Sequence, residues 1–468
     1  DVGRWRSEVE PELRELAEFP VHHPRFVGQY CHGALVTTGT LNEAALHKFS
    51  AFNQSIRDRG VGKPIELIDH NALVDRFLRC EHAVLPVEPS EFRAFLQLVL
   101  ADGTDCLDHL LFSQVLDNLL PADRSIRSGE AKRLISGSLV LAAHALSNAT
   151  AAENHLAVCE GWTLAAARIA RVALEHELSP SVWRPSFDLA VSTAHASLKA
   201  LEAEAIANED LVSGSLLGDG GEVWQARATM VAGAIAVNRL LGRVQGQDTG
   251  DEGPAIAFID RFRPYFRIWG ESAVPYFLAM YWYLRSIAHR TIREENYLAV
   301  VLRSLAKVNS QRGQRSGIPA PYFRPEACLR RILLPPTDDE EEQEAFGGSA
   351  YTVLPITALL VRAMRRQTLN LLWPEITDIS HTWIEGLSPA EFLRYRTQTG
   401  RLRNRFLPRP TSWAALRSEF EEIAQTADAR LPSIFVTSPA FALLFLLVHP
   451  HRITLDFALW LDRTLERA

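Results

Sequence analysis

Residues 34–78 read ALVTTGTLNEAALHKFSAFNQSIRDRGVGKPIELIDHNALVDRFL, and this stretch decides the fold of the N-terminal part of the chain. Residues 34–36 form a short apolar run ending in Thr37, Thr38 and Gly39, as a buried parallel strand does. Asn42 is placed to cap a helix over EAALHKFSAFNQSIRDR, in which Ala45, Phe49, Phe52 and Ile56 recur at the spacing of one helix face. GVGKP is a turn, IELI a second buried strand, and Asp69 or Asn71 caps a further helix, ALVDRFL. Alternation of strand and helix implies parallel pairing with helices packed on the sheet. Upstream, WRSEVEPELRELAEF (5–19) sets Val9, Leu13 and Leu16 on one side of a helix that PVHHP ends.

From Pro86 onward the pattern changes to helix after helix. Helical spacing is read near 89–101, 105–120, 129–148, 151–178, 183–208 and 222–242. It resumes near 254–267, 272–309, 326–334, 350–372, 388–398, 411–428 and 453–467. Clusters of Gly, Pro and Asp mark the breaks, among them LPADRSIRSG, LLGDGGE and GQDTGDEGP. The expected fold class is therefore mainly α: an α/β module over 1–80, then an all-α domain. That domain has an upper section over 81–335, an acidic Gly/Pro-rich loop over 336–349 and a second helical section over 350–468. No repeat register recurs, so the helices are stacked pairs of an α-solenoid or one irregular helical domain.

At 468 residues, with 47% hydrophobic and 22% charged side chains, the chain has the composition of an ordinary globular protein. A net charge of −7 argues against wholesale coating of nucleic acid, while leaving room for a local basic groove. Basic residues are mostly arginine; lysine occurs only at Lys48, Lys63, Lys132, Lys199 and Lys307. The cysteines, Cys31, Cys80, Cys106, Cys159 and Cys328, are scattered and form no C-x-x-C pair, which fits a reducing cytoplasm. The longest apolar run, 435–448, falls short of the roughly 20 residues of a membrane span and reads as a buried core helix. No P-loop and no G-x-S-x-G elbow is present in the sequence.

The order of elements in 5–78 resembles the second half of a restriction-endonuclease-like domain of the Mrr type, a branch of the PD-(D/E)xK nucleases. The helix over 5–19, the Thr37–Thr38 step and the ELID of Glu66 to Asp69 carry the resemblance. It implies Mg²⁺-dependent DNA cleavage, with carboxylates holding the ion and a lysine orienting the attacking water. Ahead of Trp5 stand only Asp1, Val2, Gly3 and Arg4, so the family's aspartate and E-x-K have no counterpart where they are expected. The expectation is a catalytic half encoded upstream; the alternative is a vestigial, binding-only module. As text, Asp123, Glu130 and Lys132 satisfy D-x6-E-x-K. Residues 129–148 nevertheless read as a helix with Glu130 in its first turn, where the nuclease geometry needs a strand. No catalytic residue and no metal ligand is assigned within this chain.

The strongest binding motif is RYRTQTGRLRNRFLPRP (394–410), with Arg394, Arg396, Arg401, Arg403, Arg405 and Arg409, no acidic residue, and Tyr395 and Phe406 interleaved. Arginine neutralises phosphate and aromatic rings stack on bases, so this is the expected nucleic-acid contact. A solvated loop paired with the acidic 338–344 run is the other reading. His22, His23, Cys31 and His32 lie close together but match no zinc spacing. Arg303, Lys307, Arg312 and Arg315 suit a helix C-terminus, and Trp269, Tyr276, Tyr281, Trp282 and Tyr283 suit core packing.

Taken with the resemblance, these features suggest an effector or regulatory subunit of a bacterial defence or restriction system. DNA and a partner protein or self-assembly are the expected partners, without a membrane. The helical region would act as sensor or oligomerisation module. The alternatives are a non-enzymatic helical scaffold that binds protein or nucleic acid, and a receptor whose helical groove takes a nucleotide or a phage protein.

Overall fold

A computed structural model describes all residues except 1–4, 6–8, 19–32, 38–41, 61–62, 70–71, 73–88, 120–126, 213–220, 248–249, 288–293, 311–316, 334–347, 397–398, 411 and 468. Thr38, the His22–His32 cluster, Asp123, Arg312, Arg315 and most of the 336–349 loop lie outside the described residues. The chain divides into two compact units, Asp1–Leu85 and Pro86–Ala468.

The first unit contains α1 (Glu10–Glu18), β1 (Ala34–Val36), α2 (Glu43–Arg59) and β2 (Glu66–Ile68). β1 and β2 pair in parallel, Leu35 opposite Leu67, with α2 as the crossover. Asn42 caps α2 by accepting the Ala45 N–H at 2.9 Å, as the sequence predicts. Phe49, Phe52 and Ile56 turn to a core with Trp5, Leu13, Ala17 and Ile65. Asn53 fixes the entry to β2: its side chain donates to the Ile65 carbonyl at 2.8 Å and accepts the Ile65 N–H at 2.9 Å. The strands are less buried than expected, and Val36 is 57% exposed. The reason is that they pair with each other alone among the described residues, which leaves their outer faces and edges open. A parallel strand–helix–strand unit occurs in many α/β folds and does not by itself identify a nuclease.

The second unit is mainly helical. Its long elements are α3 (His109–Leu119), α4 (Ser128–Ala145), α5 (His155–Glu175), α6 (Pro180–Ala207), α7 (Gly221–Val244), α8 (Val274–Ser286) and α9 (Glu294–Asn309). After β3 (Ser349–Ala350) come α10 (Val353–Arg362), α11 (Arg366–Asp378), β4 (Ser380–Glu385), β5 (Arg401–Phe406), α12 (Trp413–Thr426), α13 (Pro439–Val448) and α14 (Leu455–Arg467). Consecutive helices pack in pairs: α5 on α6, α6 on α7, α7 on α8, α8 on α9. α13 is apolar on every side and buried throughout 440–448, packed against α5, α6 and α7. It is the core helix read from the sequence, and among the described residues no helix is long and apolar enough to cross a membrane.

Three readings are corrected. The domain is not all-α: β3, β4 and β5 form a sheet in that order, β3 parallel and β5 antiparallel to β4. The helix expected over 350–372 breaks after α10, where Met364 takes a left-handed conformation at φ 63°. The helix expected over 388–398 is one turn, Pro389–Phe392, because the chain then bends toward β5. The aromatic helix is core, as expected: Tyr276, Tyr281, Trp282 and Tyr283 on α8 are all buried, with Trp269.

A buried carboxylate joins three of these helices. Asp462 on α14 is fully buried, accepts the Trp282 indole N–H at 2.8 Å and lies 2.7 Å from Arg285, both on α8. Its other oxygen pairs with Arg362 of α10. Removing Asp462 leaves the buried Trp282 indole N–H without this acceptor and Arg285 and Arg362 with only the more exposed carboxylates of Glu421 and Glu466. The cost is therefore expected at the lower end of the about 3–5 kcal/mol of a broken buried pair. Asp462→Ala is therefore expected to lower the unfolding free energy by about that amount in urea titration. A loss within the range of an ordinary surface substitution, about 0.5 kcal/mol, would contradict this role.

Candidate nucleic-acid interface

The chain reaches the arginine motif from β4 through a turn and one turn of helix. Gly386, at φ 79°, turns the chain out of β4, and the Ser388 hydroxyl caps Pro389–Phe392 by accepting the Glu391 N–H at 3.2 Å. The chain then runs through Arg394, Tyr395 and Arg396 to Gly400, at φ 98°. A Cβ there would stand 2.8 Å from both Ile384 Cγ2 and Leu387 Cδ2, so conformation and space both call for glycine at the entrance to β5.

β5 pairs with β4 in the register Arg401 to Glu385, Arg403 to Trp383 and Arg405 to His381. Side chains alternate along a strand, so Arg401, Arg403 and Arg405 share one face with those three partners, each about 7 Å from the next. Leu402, Asn404 and Phe406 take the other face, and every residue of β5 is exposed. Arg403 meets Glu385 at 2.7 Å, while the Arg405 guanidinium lies over the Trp383 ring, 5.9 Å from its centre. Arginines on an edge strand also discourage pairing with another chain's strand.

Beside this face is a cavity of about 450 Å³, lined among others by Tyr351, His381, Trp383, Arg405, His451 and Arg452. Its volume falls in the range of small-molecule sites, about 300–1,000 Å³. His381 and His451 are neutral: burial, then the charge of Arg405, holds His381 down to about 4, and burial with Arg452 holds His451 well below the usual range. Their ring nitrogens make no hydrogen bond of good geometry and only approach the carbonyls of Ile376 and Tyr395.

The six arginines of the motif do not act as one group. Arg401, Arg403 and Arg405 stand together on β5, and Arg409 is exposed beyond its end. Arg394 is half-buried, 3.3 Å from Glu391, and with the exposed Arg396 it lines a second cavity together with Arg168 and Arg171 of α5. Tyr395 does not present its ring for stacking on bases. It packs edge-on against His109, His449 and His451, with centroids 5.5, 5.7 and 5.4 Å away. The aromatic residue that does stand beside the arginines is Trp383, which sequence reading passed over although TWI in SHTWIE has β character. The acidic run proposed as a partner lies outside the described residues; the carboxylate seen at Arg403 is Glu385.

Glu130 and Lys132 sit in the first turns of α4, the helix read from their sequence context, and Asp123 is outside the described residues. Among the described residues no three His, Cys, Asp or Glu side chains come together as a metal site. Glu130 and Lys132 stand on a helix, where the nuclease motif places its tripeptide on a strand. No family model matches the chain, and neither a search of curated proteins nor one of solved structures finds a match.

One buried carboxylate holds the wall of the first cavity. Glu271 accepts the backbone N–H groups of Tyr351 and Thr352, at 2.9 and 2.7 Å, and the Thr352 hydroxyl at 2.6 Å. Burial outweighs these donors and pushes its carboxyl from the usual 4.5 up to about 7. The folded protein thus keeps a proton that the unfolded chain releases between pH 4.5 and 7. Stability contributed by the protonated group is complete below about pH 4.5 and is lost as pH rises to about 7, at a limit of about 1.4 kcal/mol per pH unit. Relative to Glu271→Gln, which does not titrate, the wild-type unfolding free energy is expected to fall over that window. Parallel pH profiles for the two proteins would contradict the assignment.

Proposed function

We propose that the helical unit is the recognition part of a bacterial defence or restriction system and that it contacts DNA through β5. One observation carries this reading: Arg401, Arg403 and Arg405 form a row on one face of an exposed strand, next to Trp383. Guanidinium groups bind phosphate oxygens through a planar fork of N–H donors, and an aromatic ring beside them offers a surface for a base. The net charge of −7 confines such binding to local patches of this kind rather than to the whole surface. The resemblance of residues 34–78 to Mrr-type nucleases supports the setting. It assigns Mg²⁺-dependent cleavage to a complete nuclease domain, of which β1, α2 and β2 form a part.

Binding to a short DNA duplex, measured over a salt series, tests the reading. Affinity is expected to fall linearly in log–log form, and replacing Arg401, Arg403 and Arg405 together by glutamine reduces the slope by about 2–3. The loss is expected to be similar across DNA sequences, because phosphate contacts carry no sequence information. Arg417→Gln, an exposed arginine on α12, serves as the control and leaves the slope unchanged. A triple variant with the wild-type slope would remove β5 from the interface.

A further inference from the structure

The second cavity, about 240 Å³, is walled by Arg168 and Arg171 of α5 and by Arg394 and Arg396 of the turn before β5. Asp117 of α3 is the one carboxylate among the lining residues described. Arg168 is 6% exposed and Arg171 1%, an unusual depth for two cations one helical turn apart. They share Asp117, at 2.8 Å from Arg168 Nε and 3.5 Å from Arg171 Nη1. Arg168 Nη2 donates to the Asp117 carbonyl at 3.1 Å. The other nitrogens, Nε and Nη1 of Arg168 and all three of Arg171, are buried and make no hydrogen bond of normal geometry.

Glu175 and Glu391 pair with Arg171 and Arg394 at 3.2 and 3.3 Å without lining the cavity. Even with both included, cations outnumber carboxylates around it. A buried charge with unmet donors is costly, and the missing complement here is an oxyanion held by several forked guanidinium groups. The volume is below the range of drug-sized ligands, about 300–1,000 Å³, and suits a single phosphoryl group or a pyrophosphate. We propose that this cavity binds a phosphoryl group. It does so independently of β5, and the group comes either from a small free phosphate or from the backbone of a nucleic acid.

Thermal unfolding and calorimetric titration of the 468-residue protein with inorganic phosphate and pyrophosphate, against chloride at equal ionic strength, test this. Saturable binding with a rise in Tm, weakened about tenfold or more by Arg396→Ala, identifies a small-phosphate site. Arg396 is exposed, so that variant retains the fold, while Arg168→Gln probes the buried side. The Arg401, Arg403 and Arg405 triple glutamine variant is expected to leave this binding unchanged. If pyrophosphate does not bind but DNA binding weakens in Arg396→Ala beyond its loss in the β5 variant, the phosphoryl group is that of the nucleic-acid backbone. Absence of both effects overturns the proposal.

Discussion

The site depends on one buried cation. Arg452, 1% exposed, reaches from the turn after α13 to the turn over 391–394, donating to the carbonyl of Arg394 at 2.9 Å and to that of Glu391 at 3.4 Å. It lies over the Phe392 ring, 5.9 Å from its centre. Burial pulls its pKa down to about 10, which still leaves it charged at neutral pH. An ion so placed costs several kcal/mol unless nearby dipoles hold it, so the carbonyls of the 391–394 turn are fixed where the charge needs them. That turn is the strip between the two cavities: Arg452 and His451 line the first, while Arg394, Tyr395 and Arg396 line the second. β5 then leaves from its far end.

The rings around Arg452 keep this region apolar and unprotonated. His449 stacks on Phe445 at 3.9 Å between ring centres, and burial together with His451 and Arg452 holds it neutral. Tyr395, Phe392 and Phe435 complete the packing. Positive charge is therefore concentrated on guanidinium groups rather than on His381, His449 and His451.

How much of this was legible in the sequence follows from periodicity. α5, α7 and α13 could be placed because their apolar residues leave helix as the compact solution, and the cap and crossover of the first unit were legible from Asn42 and the runs at 34–36 and 65–68. β5 could not, because RLRNRF is exposed on both faces and so lacks the apolar alternation by which a half-buried strand is recognised. The break after α10 falls on Met364, with no glycine or proline to announce it. The second cavity did leave a signal. In GWTLAAARIARVALE, Arg168 and Arg171 interrupt a helix apolar on all sides, and buried arginines need partners. Asp117, 51 residues before Arg168, and the distant Arg394 and Arg396 are brought beside them by tertiary contacts, which no local reading supplies.

Photochemical cross-linking of a bound DNA oligonucleotide to the intact chain, with the modified residues located by mass spectrometry, tests the central claim most directly. If the arginine face of β5 and its neighbour β4 form the interface, cross-links are expected at Trp383 and in the peptide carrying Arg401 to Arg405. Cross-links confined to other parts of the second unit, with these residues unmodified in a saturated complex, would contradict it.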